Sequence, residues 1–111
     1  MIKTTKTSSG AVSHQVCLYN SSKTNPLFCM SQNYGKNANL GTVRNNIASG
    51  MGVSTSLCSI EYGDTSAENY AFCRVSSGSQ IHCYAYSGGT IGCYDGVNHC
   101  GMNTNGNTYC G

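Results

Sequence analysis

From His14 onward the chain alternates. Runs in which every second residue is apolar or small recur at roughly ten-residue spacing, and each holds a cysteine near its middle. They read HQVCLYN (14–20), PLFCMSQ (26–32), SLCSIEY (56–62), YAFCRVS (70–76), QIHCYAY (80–86), TIGCYDG (90–96), VNHCGMN (97–103) and NTYCG (107–111). Turn pairs separate them: Asn25-Pro26, Gly63-Asp64, Ser77-Gly78, Gly88-Gly89, Asp95-Gly96 and Asn105-Gly106. A period of two bounded by such pairs predicts short antiparallel strands. The expected fold is all-β: a small disulfide-stabilised antiparallel meander, sandwich or barrel of short Cys-centred hairpins.

Two segments depart from this rhythm. In NLGTVRNNIASG (39–50), Leu40, Val43 and Ile47 fall at helical spacing, Asn39 can cap the start and Gly50 can end it, so at most one short helix is expected near 39–50. Residues 1–12 are polar and threonine-rich. They read as an extended tail or an edge strand, in the chain's own sheet or donated to a neighbour, ahead of a single disulfide-rich β domain over 13–111. They hold no apolar run and do not read as a signal peptide, so the expectation is a mature form.

Side chains alternate faces along a strand. In QIHCYAY, Ile81, Cys83 and Ala85 share one face, while His82, Tyr84 and Tyr86 share the other. A three-residue loop at Ser87-Gly88-Gly89 sets Cys83 opposite Cys93 and Ala85 opposite Ile91, which keeps the apolar positions together. Asp95-Gly96, read as the next two-residue loop, sets Tyr94 opposite Val97 and Gly92 opposite His99, with Cys100 on the cysteine side. One face is therefore core, lined by cysteine, isoleucine and alanine. The other carries His82, Tyr84, Tyr86, Tyr94 and His99, with Gly92 expected to leave a hollow among the rings.

Composition explains why cysteine sits in the core. Leu, Ile, Val and Phe together make only about 15% of the 111 residues, too little apolar surface to offset chain entropy comfortably. Eight cysteines, Cys17, Cys29, Cys58, Cys73, Cys83, Cys93, Cys100 and Cys110, are expected to be fully paired, with the connectivity left open. No C-x-x-C pair suggests zinc. Full pairing implies an oxidising compartment, hence a secreted or surface protein. Asn20-Ser21-Ser22 fits a glycosylation acceptor.

A net charge of +2 with 9% charged residues is too little for a phosphate-tracking groove, so nucleic acid is not an expected partner. No stretch is long enough to span a membrane. Of the four acidic residues, Glu61, Asp64 and Glu68 fall in one solvated loop without calcium-loop spacing, and His14, His82 and His99 accompany no catalytic motif. No enzyme activity and no cofactor or metal are expected.

In outline, VNHCGMNTNGNTYCG resembles the cysteine hairpin of regulator-of-chromosome-condensation-type repeats, though no tryptophan follows Cys110. Cys17 to Gly52 resembles half of a cyanovirin-type lectin, without a second half to match. Neither resemblance assigns a role to a residue.

A tyrosine- and histidine-rich face suits sugar rings, which stack on aromatic faces and bond at their edges, and also suits protein contacts. The expected function is that of a non-enzymatic secreted binding protein recognising a glycan or other cell-surface ligand through His82, Tyr84, Tyr86, Tyr94 and His99. The alternatives are a structural subunit of an extracellular filament or coat, self-assembling through residues 1–12, and a small toxin, antimicrobial or effector protein.

Overall fold

The computed structural model describes residues 2–6, 14–19, 26–31, 38–62, 69–103 and 107–110. Asn20, Asp64, Glu68 and the turns expected at Asn25-Pro26, Gly63-Asp64 and Asn105-Gly106 lie wholly or partly outside them.

The strands are β1 (Ile2–Lys6), β2 (His14–Tyr19), β3 (Pro26–Ser31), β4 (Cys58–Glu61), β5 (Tyr70–Arg74), β6 (His82–Tyr86), β7 (Ile91–Tyr94), β8 (His99–Met102) and β9 (Thr108–Cys110), with one helix, α1 (Leu40–Met51), between β3 and β4. They form two antiparallel sheets, β1-β2-β3 and the six-stranded β4-β5-β6-β7-β8-β9. Every strand pairs with its sequence neighbour, as short loops between alternating runs require. β1 pairs with β2 of its own chain, Ile2 opposite Leu18 and Lys6 opposite His14. It is thus an edge strand in its own sheet, and nothing in this pairing speaks for donation to a second chain.

One face of the six-stranded sheet is covered. The small sheet lies over β7, β8 and β9, and α1 lies over β4, β5 and β6 and against β3. Val16, Leu18 and Met30 from the small sheet, Val43, Ile47 and Ala48 from α1, and Ala71, Ala85, Ile91 and Met102 from the large sheet join Cys73, Cys83, Cys93 and Cys100 in one buried core.

The helix starts as its sequence suggests, with Asn39 Oδ1 accepting from the Thr42 N–H at 3.2 Å. It does not end at Gly50. It runs to Met51 and closes at Gly52, where φ is 71° and the Gly52 and Val53 N–H groups reach back to the Ser49 and Ala48 carbonyls at 3.2 and 3.0 Å. Gly50 serves packing instead. The Phe28 ring of β3 occupies the place a Cβ would take.

The four disulfides are Cys17–Cys29, Cys58–Cys73, Cys83–Cys93 and Cys100–Cys110, each joining directly opposed residues of adjacent strands. In the large sheet all six cysteines stand in one row, so Cys73 also faces Cys83 and Cys93 also faces Cys100. Hydrogen-bond parity explains the choice. In an antiparallel sheet a residue exchanges its backbone bonds with one neighbour only, and the side chains stand closer on the unbonded side. The Val75 N–H bonds the Ile81 carbonyl and the Asp95 N–H the Asn98 carbonyl, both at 3.1 Å. Two residues along, Cys73/Cys83 and Cys93/Cys100 are therefore the bonded, wider pairs. Tyr86 to Thr90 (2.7 Å) and Asn103 to Asn107 (3.0 Å) are bonded as well. Three residues along from these, Cys83/Cys93 and Cys100/Cys110 fall at narrow sites, with Cα atoms 4.0 and 4.1 Å apart. Loops this short yield about 3 kcal/mol per clasp in the chain-entropy account, and the four bonds imply an oxidising environment.

The Gly88-Gly89 hairpin has the expected register, with Cys83 opposite Cys93, Ala85 opposite Ile91, and Gly89 at φ 104°. The next hairpin does not. Tyr94 lies opposite His99 and Gly92 opposite Gly101, a slide of two residues that keeps every side chain on its expected face. The loop is Gly96-Val97 rather than Asp95-Gly96. Asp95 is the last paired residue, and its Oδ1 accepts the Val97 and Asn98 N–H groups at 3.0 and 2.7 Å. Gly96, at φ 95°, takes the left-handed position the turn needs.

Candidate binding face

On the side of the large sheet that no described element covers, the residues flanking the cysteines fall into rows. Arg74, His82, Tyr94 and His99 form one row across β5 to β8. Phe72, Tyr84, Gly92, Gly101 and Tyr109 form the next across β5 to β9. Tyr70 and Tyr86 begin a third. The rings touch in an unbroken chain: Tyr70 with Phe72 and Tyr86, Phe72 with His82, His82 with Tyr84 and Tyr94, and His99 with Tyr84, Tyr94 and Tyr109.

Over β7 to β9 this pavement is sealed. Tyr84 lies down on Gly92, where a Cβ would stand 2.5 Å from Cζ and 2.9 Å from Cε1. Tyr109 lies on Gly101 from the opposite direction, its Cζ 2.5 Å from the Cβ position. The two hydroxyls meet at 2.9 Å, and the Tyr84 hydroxyl also stands 2.7 Å from His99 Nε2. With a neutral imidazole, Tyr109 donates to Tyr84 and Tyr84 donates to His99, so all three polar atoms are satisfied. Gly92 therefore leaves no hollow, because the ring of Tyr84 fills it. Tyr84 is only 8% exposed. Burial pushes its hydroxyl well above the ordinary phenol range.

Over β5 and β6, and along the row from Arg74 to His99 on β8, no described element closes the face. A hollow of about 350 Å³ is lined by Tyr70, Phe72, Arg74, His82, Tyr84, Tyr86, Tyr94 and His99. Tyr70 and Tyr86 form one wall, their centroids 4.9 Å apart. The Arg74 guanidinium lies 4.9 Å over Phe72, and its Nη1 donates to the Ser79 carbonyl at 2.9 Å. His82 Nδ1 donates to the Gln80 carbonyl, which leaves Nε2 as an acceptor in the neutral ring. Burial lowers the His82 pKa despite that bond, and Arg74 and His99 lower it further. Tyr94 donates to the Gly96 carbonyl at 2.9 Å.

All five residues singled out in the sequence, His82, Tyr84, Tyr86, Tyr94 and His99, come together here. Tyr70, Phe72, Arg74 and Tyr109 belong to the same face, and sequence reasoning missed them. Their signal was present, since each lies at an odd offset from Cys73 or Cys110 and must point away from the core. Among the described residues, no group of three or more His, Cys, Asp or Glu could hold a metal ion, and no helix is long and apolar enough to cross a membrane.

Fold and face together define a small disulfide-clasped β protein with one open aromatic sheet face. No protein-family model, curated protein or solved structure matches the chain.

Proposed function

We propose that the chain is a non-enzymatic, secreted binding protein that recognises a glycan through the open half of its aromatic face. One observation carries this reading: a ring-walled hollow on the side of the sheet that no described element covers. Contiguous exposed apolar surface marks an interaction site more often than a scaffold. Rings with polar tips suit sugars, whose C–H faces stack on aromatic faces and whose hydroxyls bond at the edges. The lining residues offer no carboxylate pair, and the hydroxyl that stands beside a base, Tyr84 against His99, is a phenol. The raised pKa of Tyr84 makes that phenol a poor proton-transfer group. The oxidising compartment implied by the disulfides supports secretion. Assembly through residues 1–12 ranks behind this reading, because Ile2–Lys6 already pairs with β2.

The test is binding of the oxidised protein to a broad glycan panel, with Tyr70→Ala/Tyr86→Ala alongside and folding checked by near-ultraviolet circular dichroism. Selective binding that falls by about 10-fold or more in the folded variant is the expected result. An empty panel, or full binding by the variant, overturns the reading.

A further inference from the structure

We infer that the hollow takes an anionic sugar, one carrying a carboxylate or a sulfate, with Arg74 as the residue that selects the charge. The inference rests on the glycan reading and deepens it. Arg74 is half-buried, stacked on Phe72 and tethered through one nitrogen to the Ser79 carbonyl. That leaves most of its fork of donors unused, and no ion pair engages it among the described residues. The other lining groups bring no negative charge. Glu61 faces the same side but lies on edge strand β4 opposite Tyr70, exposed and outside the hollow. Asp95 spends its carboxylate on the Val97 and Asn98 N–H groups.

A partly desolvated guanidinium without a counter-ion is costly, and an oxyanion offered in its plane relieves that cost through paired, charge-assisted bonds. Stacking and tethering hold the fork in place beforehand, so little side-chain entropy is lost on binding. His82 sits directly opposite Arg74 in the sheet. The Val75–Ile81 bond one residue on makes this the unbonded, closer kind of pair. With Nδ1 committed to Gln80, His82 Nε2 accepts a hydroxyl proton beside the anion site. The hollow thus offers an anion donor, a hydroxyl acceptor and stacking walls within one sugar's reach.

The experiment compares matched probes: tetragalacturonate with its full methyl ester, sialyllactose with lactose, and a sulfated galactose disaccharide with its unsulfated form. We expect at least one acidic member to bind about 10-fold tighter or more than its neutral partner. Arg74→Gln should abolish that preference and Arg74→Lys should restore it in part, both with wild-type circular dichroism. The pairs that show the preference identify carboxylate or sulfate as the anion. Neutral members binding as well as acidic ones, with Tyr70→Ala/Tyr86→Ala still defective, overturns the anionic inference and leaves the glycan reading standing. An acid preference that survives Arg74→Gln in a folded protein overturns the role of Arg74. No binding to any probe or to the wider panel overturns both.

Discussion

Tyr84 and Tyr109 lie flat on Gly92 and Gly101, hydroxyl to hydroxyl, while a few ångströms away on the same sheet face Tyr70 and Tyr86 stand ring against ring at the wall of a hollow. The residue type is the same and the partner differs. Opposite glycine, a tyrosine has room to fold down, and its hydroxyl finds a protein partner. Opposite another large ring it must stand, and space remains between the rings. The first arrangement fills the sheet and the second leaves it open. An aromatic-rich face is therefore not uniformly a binding face. What lies across the strand decides which rings fill the sheet and which wall a hollow.

The largest test of this division removes a disulfide. Cys83–Cys93 joins the open half to the sealed half, and Cys100–Cys110 holds the outer edge of the sealed half. Both span ten residues, so their loop-closure contributions are equal. Their surroundings differ: Cys83 and Cys93 are fully buried, whereas Cys110 is exposed. Cys83→Ala/Cys93→Ala should cost about 4 kcal/mol and Cys100→Ala/Cys110→Ala about 2–3 kcal/mol, measured by guanidinium unfolding without reductant. Equal costs would mean that packing around the sulfurs adds nothing.

Next come the glycines. A Cβ at Gly101 meets the Tyr109 ring and also the Ile91 carbonyl oxygen at 2.9 Å, which cannot step aside. At Gly92 the three nearest atoms all belong to the Tyr84 side chain. Gly101→Ala should cost about 3 kcal/mol and Gly92→Ala about 2 kcal/mol, both from overpacking. Near-neutral results would show that the rings do not rest on these positions in solution.

Tyr84→Phe keeps the ring on Gly92 but takes the hydroxyl from His99 and Tyr109. It should cost about 1–2 kcal/mol and, because the ring stays in the wall of the hollow, weaken ligand binding less than Tyr70→Ala/Tyr86→Ala does. The hydroxyl also gives a pH signature. Its folded pKa lies above the unfolded value of 10.0. The stability gained by keeping it neutral is fully present below that value and is lost as pH rises towards the folded one. In an ultraviolet titration one phenol should stay silent until the chain unfolds, and it should be missing from Tyr84→Phe. A wild-type titration in which every tyrosine ionises together would contradict the buried hydroxyl.

Much of this was legible in the chain. A cysteine at the centre of each alternating run sorts every neighbour onto a face, which placed His82, Tyr84, Tyr86, Tyr94 and His99 together and would have placed Tyr70, Phe72, Arg74 and Tyr109 with them. Three things were not legible. Alternation gives the face but not the hydrogen-bond parity, so the row of six cysteines did not reveal which neighbours bond. The absent side chain of Gly92 read as empty space, because alternation does not show that the Tyr84 ring lies across it, with its hydroxyl on His99 and Tyr109 two and three strands further on. Gly50 read as a helix stop, whereas the Phe28 ring that needs it comes from β3, the strand before the helix, and helical periodicity carries no sign of that contact.

The hairpin between β7 and β8 supplies the finest test, because the sealed half depends on its register. With Asp95-Gly96 as the loop, Gly92 would face His99, and Tyr84 and Tyr109 would not share their glycine floor. Asp95 opposes that slide by bonding the N–H groups of Val97 and Asn98. Desolvation pushes its pKa upward, but the hydrogen bonds the carboxylate accepts, those from the Asn98 and Val97 N–H groups foremost, bring it well below the usual aspartate range. The stabilisation is present above the ordinary aspartate pKa and fades only as pH falls through the lowered folded value. Asp95→Ala should therefore cost only about 0.5–1 kcal/mol at neutral pH, and the difference from wild type should shrink in strong acid. The register itself should survive, since Gly96 keeps its left-handed conformation and Cys100–Cys110 fixes the far edge. Tyr94 and His99 form an unbonded pair, so their Hα protons are close and should give a strong nuclear Overhauser effect in both proteins. Its replacement in the variant by a Tyr94–Val97 effect would show that the aspartate alone holds the register, and the sealed half of the face with it.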